Sequence, residues 1–193
     1  IKQANIEFEK LEDSQFDDPM GEATGAGAIF GTTGGVMEAA LRTAQDILSG
    51  KDLEKINFEQ VRGGEEIKRA TVNVAGKDLN VVATSGLADA RKILDEIKEG
   101  KANYQFVEIM ACPGGCIMGG GQPIKSSKIR AEVDIRKLRA DALYTIDEKS
   151  VIRKSHENPA LKTIYKEYLG KPGGHLAHKL LHTTYQERKK YNI

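Results

Sequence analysis

Two cysteines are the residues of this chain most capable of chemistry, and they are the only cysteines among its 193 residues. Cys112 and Cys116 are separated by Pro-Gly-Gly and are followed by three consecutive glycines at 119–121. Glycine allows backbone conformations closed to other residues, so both thiolates can point the same way. The backbone N–H groups of 119–121 can form a concave set of donors, which suits an anion or the sulfides of an iron–sulfur cluster. The stretch therefore favours a metal site.

Other uses of the cysteine pair stay open. The spacing permits a disulfide, but disulfide-built secreted domains usually spread their cysteines through the chain. A redox dithiol is a second alternative, although that motif is normally Cys-x-x-Cys at a helix start. A purely structural glycine loop is the third. Two clustered cysteines suit a reducing compartment, and we expect a cytoplasmic protein without a disulfide between Cys112 and Cys116.

The number of thiols limits what the site can hold. A 4Fe–4S cubane takes about four cysteine ligands, and this chain has two. The remaining ligands would have to come from elsewhere. The chain begins with Ile1 rather than Met, from which we expect that further residues preceded it.

Two further groups could bind ligands. His175, His178 and His182 lie at positions i, i+3 and i+7, a spacing that could hold zinc, although packing of the tail is the simpler interpretation. The Gly-rich segment 21–35 precedes a predicted helix like a phosphate cradle. It has neither a dinucleotide fingerprint nor a P-loop ending, so nucleotide binding is disfavoured against close packing of the glycines.

Hydrophobic periodicity predicts the elements that position these residues. The opening 20 residues suggest a short strand and a loop, and 70–84 a hairpin turning at 76–78. The run 104–111 predicts a strand buried on both faces. The predicted helices are 36–48, 90–97, 134–146, 158–169 and 175–181, followed by a fraying basic end after 185. The first of them ends at Gly50 and has seven residues on one face: Val36, Met37, Ala40, Leu41, Ala44, Ile47 and Leu48. This order favours an α/β fold with a mixed, mainly parallel sheet flanked by helices and a helical C-terminal extension.

Composition excludes several classes of protein. The chain has 29 basic and 28 acidic residues, so its net charge of +1 gives no electrostatic case for nucleic acid or an anionic membrane. No apolar run approaches the roughly 20 residues needed to cross a bilayer. We therefore expect neither nucleic-acid binding nor membrane insertion.

Three segments together resemble the FeFe (iron-only) hydrogenases. Residues 110–123, Met-Ala-Cys-Pro-Gly-Gly-Cys-Ile-Met-Gly-Gly-Gly-Gln-Pro, are similar to the last of three signature motifs of that family. Residues 25–42, Gly-Ala-Gly-Ala-Ile-Phe-Gly-Thr-Thr-Gly-Gly-Val-Met-Glu-Ala-Ala-Leu-Arg, resemble its upstream Gly-rich segment. The tail at 158–185 resembles its small-subunit-type element. The resemblance divides the chain into a C-terminal lobe of the catalytic domain, 1–125, and a small-subunit-like extension, 126–193.

The resemblance implies a cofactor, the H-cluster, in which a 4Fe–4S cubane is bridged to a diiron centre carrying CO, cyanide and a dithiolate. Cys112 would bind the cubane, and Cys116, the catalytic residue, would bind it and bridge to the diiron centre. Phe30 and Met110 would line the diiron pocket. The implied activity is reversible reduction of protons to dihydrogen, with a ferredoxin-type electron carrier as partner.

The family's two earlier signature motifs, which carry the other cluster cysteines and the proton relay, are absent from this sequence. The chain alone is therefore expected to be inactive and to need the upstream part of the hydrogenase, in the same chain or as a separate subunit. Two alternatives remain. One is a non-catalytic iron–sulfur relative, a sensor or a cluster-assembly scaffold, and the other is a metal-free thiol-redox domain.

Overall fold

The computed structural model describes residues 1–17, 21–52 and 56–187. Within these ranges one mixed sheet has the strand order β1–β2–β3. Its strands are β1 (Ile67–Val74), β2 (Lys77–Ser85) and β3 (Phe106–Met110). β1 pairs antiparallel with β2, and β2 pairs parallel with β3, with Ser85 opposite Met110. The predicted α/β fold with a mixed sheet is confirmed, with one pairing of each kind.

Helices surround this sheet and make up the C-terminal part. They are α1 (Gly25–Ala28), α2 (Gly35–Ser49), α3 (Leu87–Lys98), α4 (Ser127–Glu132), α5 (Ile135–Lys149), α6 (Pro159–Ile164) and α7 (His175–Leu181). A π-helical turn, Tyr165–Leu169, continues α6. The helices predicted at 36–48, 90–97, 134–146, 158–169 and 175–181 are confirmed, and the helical extension with them. The division of the chain at residue 125 stays a prediction, and the last six residues, 188–193, lie outside the described ranges.

The apolar core lies between α2 and the β1–β2 hairpin. Its buried members are Met37, Leu41, Phe58, Val61, Val72, Val74, Val81 and Ala83. The hairpin turns at Ala75 and Gly76, so the turn begins one residue before the predicted turn at 76–78. Both have positive φ, 49° and 81°, as a two-residue type I′ turn requires.

Helix α2 ends at Gly50 as predicted, with φ 64°, but its buried face is only partly the predicted one. Met37 and Leu41 are buried and Ala44 is half-buried. The other predicted members of the face are exposed: Val36, Ala40, Ile47 and Leu48. In their place Glu38 and Arg42 are fully buried, because their charges are neutralised by partners on other elements.

These partners form a buried ionic network that joins α2 to α5. Arg42 donates from Nη1 and Nη2 to the two carboxylate oxygens of Asp147, at 2.7 and 2.8 Å. Its Nη2 also donates to Glu38, at 2.8 Å, and Glu38 accepts twice from Arg62. Arg153 donates to Asp147 at 2.6 Å. Burial acts to raise the pKa of Asp147, but the hydrogen bonds from Arg42 and Arg153 outweigh it and hold the pKa below its ordinary value. The network fixes α2 against the extension.

Two predictions about strands are wrong. The opening residues form 3-10 turns at Lys2–Ala4 and Phe8–Lys10, because this exposed stretch has no strand beside it in the described residues. Strand β3 is not buried on both faces: Ile109 is 42% exposed and Glu108 is its one buried residue. β3 lies at the edge of the described sheet, so only part of its surface is covered.

Candidate metal centre

The loop that carries the two cysteines follows directly from β3. Gly114 and Gly115 have φ of 81° and 89°, which favour glycine, and they turn the chain between the two thiols. A 3-10 turn, Cys116–Met118, follows. Both cysteines are free, Cys112 half-buried and Cys116 exposed, in line with the prediction that no disulfide joins them. Cys116 is therefore the more exposed of the two residues.

This cysteine loop, residues 111–123, is tied to two elements of the fold. The N–H of Gly114 donates to Oγ of Ser85 at the end of β2, at 2.8 Å. Arg139 on α5 donates from its two terminal nitrogens to the carbonyls of Ile117 and Pro123, both at 2.7 Å. Three hydrogen bonds therefore fix the loop between the sheet and the extension.

The loop also packs against residues 29–34, the segment that contains Phe30. A Cβ atom placed on Gly115 would lie 2.8 Å from the carbonyl oxygen of Gly31 and 2.9 Å from the nitrogen of Thr33. Only glycine allows such a close approach of two backbones. The structure thus brings the Phe30 segment beside the cysteines, and Phe30 itself stays 43% exposed. Met110, at the end of β3, is half-buried.

A buried carboxylate that the sequence patterns did not single out lies behind this contact. Glu108 accepts hydrogen bonds from the N–H groups of Gly34, at 2.6 Å, and Met37, at 2.7 Å. Burial raises the pKa of Glu108, and these two bonds and the charge of Lys68 only partly offset it. Lys68 is also buried, which lowers its pKa, and its ammonium donates to the carbonyl of Thr33. The sequence feature that could have identified Glu108 is its position as the single acidic residue within the apolar run Phe-Val-Glu-Ile-Met.

The thiols fit part of an iron–sulfur site. Cys112 and Cys116 are soft ligands on one short loop, and a Cβ on Gly119 would lie 3.6 Å from Sγ of Cys112, so glycine keeps space beside that sulfur. A Cβ placed on Gly120 or Gly121 would meet no atom within 4 Å, so there is open space beside these glycines. One detail of the predicted donor set is wrong: the N–H of Gly119 already donates to the carbonyl of Cys116, at 3.0 Å. The donor set matches half of a four-thiolate cubane.

The Gly-rich segment 21–35 serves close packing. A side chain on Gly34 or Gly35 would strike the backbone of Val61 or Ile29. The start of α2, where a phosphate would bind, is occupied by the carboxylate of Glu108. These two glycines therefore serve close packing rather than phosphate binding, and a role of the segment at the cluster pocket stays a prediction.

The histidine group does not share one helix face. His182 lies beyond the end of α7, and its ring lies 4.1 Å from that of His178. Among the described residues, a different group, Asp46, His156 and Glu157, has ligand atoms close together. The ammonium of Lys154 pairs there with Asp46 at 2.6 Å and Glu157 at 3.7 Å, so a cation already offsets part of the charge of these acids.

A cavity of about 620 Å³ adjoins the cysteine loop at Gly114 and Ile117. Its wall carries charges of both signs: Arg62, Lys68, Arg136 and Lys137, with Glu59, Glu65, Asp134, Asp141 and Glu148. Because the signs nearly balance, the cavity has no evident preference for an anion or a cation.

Two family models match this chain. A family model described as the C-terminal domain of the iron-only hydrogenase large subunit matches residues 1–120. The chain belongs to this family. A second model, the iron hydrogenase small subunit, matches residues 133–188.

The chain is also similar to individual proteins. Iron hydrogenase 1 of Clostridium pasteurianum is 49% identical over 97% of this chain, which covers 33% of that protein. The solved structure of a variant of the FeFe hydrogenase HydA1 from Chlamydomonas reinhardtii is 40% identical, with a TM-score of 0.64, over 95% of this chain and 52% of that one. Protein NAR1 of Arabidopsis thaliana is 32% identical over 96% of this chain and 39% of its own length. The chain spans about a third of the length of the hydrogenases that it matches.

No helix in the described ranges is long and apolar enough to span a bilayer.

Proposed function

We propose that the chain is part of an FeFe hydrogenase that reversibly reduces protons to dihydrogen. The observation that carries the proposal is the cysteine loop, which carries two free thiols and packs through Gly115 against the Phe30 segment, in a member of the iron-only hydrogenase family. A ferredoxin-type carrier would exchange electrons with the complete enzyme, and the cytoplasm would be its location.

Each site residue has a proposed role. Cys112 binds the 4Fe–4S cubane, and Cys116, the catalytic residue, binds the cubane and bridges it to the diiron centre. The exposure of Cys116 supports this role, because a bridging sulfur must be accessible to two groups. Phe30 and Met110 line the diiron pocket and exclude water from it without competing as strong ligands. When bound, the cofactor supplies the redox chemistry and the hydrogen-binding metal.

The site is completed by the upstream part of the enzyme. Two thiolates are half of the four that a cubane takes. With both assigned to the cluster, the chain has no thiol left to serve as a proton relay. The upstream part, in the same polypeptide or as another subunit, therefore supplies the missing ligands and the relay, and the chain alone is inactive.

A second candidate is a non-catalytic iron–sulfur protein, since a cytosolic Fe-S cluster assembly factor of Danio rerio is also a relative. The 49% identity to an iron hydrogenase against 27% to the assembly factor favours the hydrogenase. A metal-free thiol-redox domain is the third candidate, and it does not explain why the cysteine loop packs on the Phe30 segment.

Hydrogen evolution tests the proposal. The chain alone and the chain joined to its upstream part are matured anaerobically with the family's maturation factors and assayed with a reduced viologen. We expect activity only from the joined protein. Cys116→Ser should abolish it, and Cys112→Ser should weaken it while some cluster persists through the oxygen ligand. Turnover by the isolated chain would contradict the shared-ligand proposal, and a joined protein with a bound cubane but no carbonyl bands in the infrared would favour the non-catalytic relative.

A further inference from the structure

Glu108 links two segments that are far apart in sequence. Its carboxylate is 7% exposed and holds the N–H groups of Gly34 and Met37, more than 70 residues away. Gly34 is the residue before the first turn of α2 and has no side chain to cap that helix. The start of α2 is therefore held by a side chain of β3 rather than by its own sequence.

The link lies close to both sides of the proposed cluster pocket. β3 ends at Met110 and continues at once into the cysteine loop, while residues 29–33 immediately precede the residues that Glu108 holds. The contact of Gly115 with Gly31 and Thr33 joins the same two segments a second time. These two links and the chain between them form a closed ring that fixes the Phe30 segment relative to the cysteine loop.

Lys68 reinforces one side of this ring. Its ammonium donates to the carbonyl of Thr33, and the N–H of the same peptide group, that of Gly34, donates to Glu108. A cation and an anion thus hold neighbouring groups of one backbone segment in place. Burying two charges costs free energy that a pair of apolar side chains would not, so packing alone does not account for the arrangement.

We propose that Glu108 is a positioning residue for the cluster: it sets the position of the Phe30 segment against the cysteine loop and so the shape of the diiron pocket. Glu108 need not touch the cofactor, since it acts through the backbone at 29–34 and through β3. This inference rests on the proposed function.

The test is Glu108→Gln in the complete enzyme, this chain together with its upstream part. Glutamine keeps the size of the side chain but presents an NH₂ group to one of the two backbone donors, so one of the two bonds is lost. We expect shifted carbonyl and cyanide stretching bands in the infrared spectrum. We also expect about tenfold slower hydrogen evolution per bound diiron centre, because small displacements near reacting atoms can cost up to about 10²-fold.

Glu38→Gln is the matched control. Glu38 is also a buried carboxylate at the start of α2, but its partners are Arg42 and Arg62 rather than the segments around the cysteine loop. We expect this variant to lower the unfolding midpoint while leaving the band positions and the turnover per diiron centre unchanged. A purely structural role of Glu108 would give the same result for both variants.

The outcomes separate the two proposals. If the wild-type protein shows no carbonyl bands after maturation, the proposed function fails. If the wild type shows them and Glu108→Gln leaves them unshifted, or shifts them no more than Glu38→Gln does, the positioning role is wrong. If Glu108→Gln does not fold, Lys68→Met decides in the same way: shifted bands support the proposal and unshifted bands overturn it.

Discussion

Asp147→Asn removes the acceptor at the centre of the buried network between α2 and α5. The carboxylate is fully buried and accepts two hydrogen bonds from Arg42 and two from Arg153, at 2.6–3.4 Å. Asparagine has nearly the same volume but no charge, and its NH₂ group would face guanidinium donors. The substitution thus leaves a buried cation short of a partner without creating a cavity.

Loss of one partner of a buried ion pair costs about 3–5 kcal/mol. Glu38 still faces Arg42 but is shared with Arg62, so it cannot replace the missing charge. For a chain of this length each kcal/mol shifts the melting temperature by about 2–4 °C, so we expect a drop of about 6–20 °C.

Urea unfolding followed by far-UV circular dichroism measures the loss, with tyrosine fluorescence as second probe because the chain has no tryptophan. Asp141→Asn is the control on the same helix, since Asp141 forms an exposed pair with Lys137 and its loss should leave the midpoint unchanged within error. A loss below about 1 kcal/mol for Asp147→Asn, or one equal to that of the control, would refute the reasoning from burial.

Three more predictions follow from single contacts. Leu41→Asp should lower the free energy of unfolding in urea by several kcal/mol, because Leu41 is 2% exposed. Leu48 is 57% exposed on the same helix, so Leu48→Asp should change this free energy little. Equal losses would mean that the orientation of α2 is wrong. The pKa of Asp147 is lowered in the fold, so the stabilisation by its carboxylate is fully present above the unfolded pKa of about 3.9 and is lost as the pH falls through the folded pKa. Below about pH 4, Asp147→Asn should therefore lose less stability with falling pH than the wild type does, as acid titration of the unfolding midpoint would record. Gly115→Ala should displace the cysteine loop and lower the iron bound per chain in the complete enzyme, while Gly120→Ala, with open space around it, should not; iron analysis after anaerobic maturation compares them.

Local patterns predicted most of the fold because its elements are strongly periodic. The length of α2 and its end at Gly50, the hairpin, and the helices of the extension follow from apolar spacing and glycine stops. The rotation of α2 did not follow, because Glu38 and Arg42 look like surface residues and their neutralising partners lie far along the chain: Arg62 for Glu38, and Asp147, more than 100 residues later, for Arg42. Periodicity assumes that charges face water, and buried ion pairs break that assumption.

Part of the candidate site could also be predicted from local sequence patterns, and part could not. Cys112 and Cys116 could be found from residue type and spacing, and their roles in a cluster stay predictions. The packing of residues 29–34 on the cysteine loop is a long-range contact that no local pattern reveals. Glu108 was missed for the same reason: its partners are two backbone N–H groups, which the identities of the residues that carry them do not show.

The infrared spectrum of the complete enzyme after anaerobic maturation tests the central claim most directly, that Cys116 joins a cubane to a diiron centre. We predict carbonyl and cyanide stretching bands in the wild-type protein and no such bands in Cys116→Ser at equal protein concentration. The full set of bands in Cys116→Ser, or their absence from the wild type, would contradict the account.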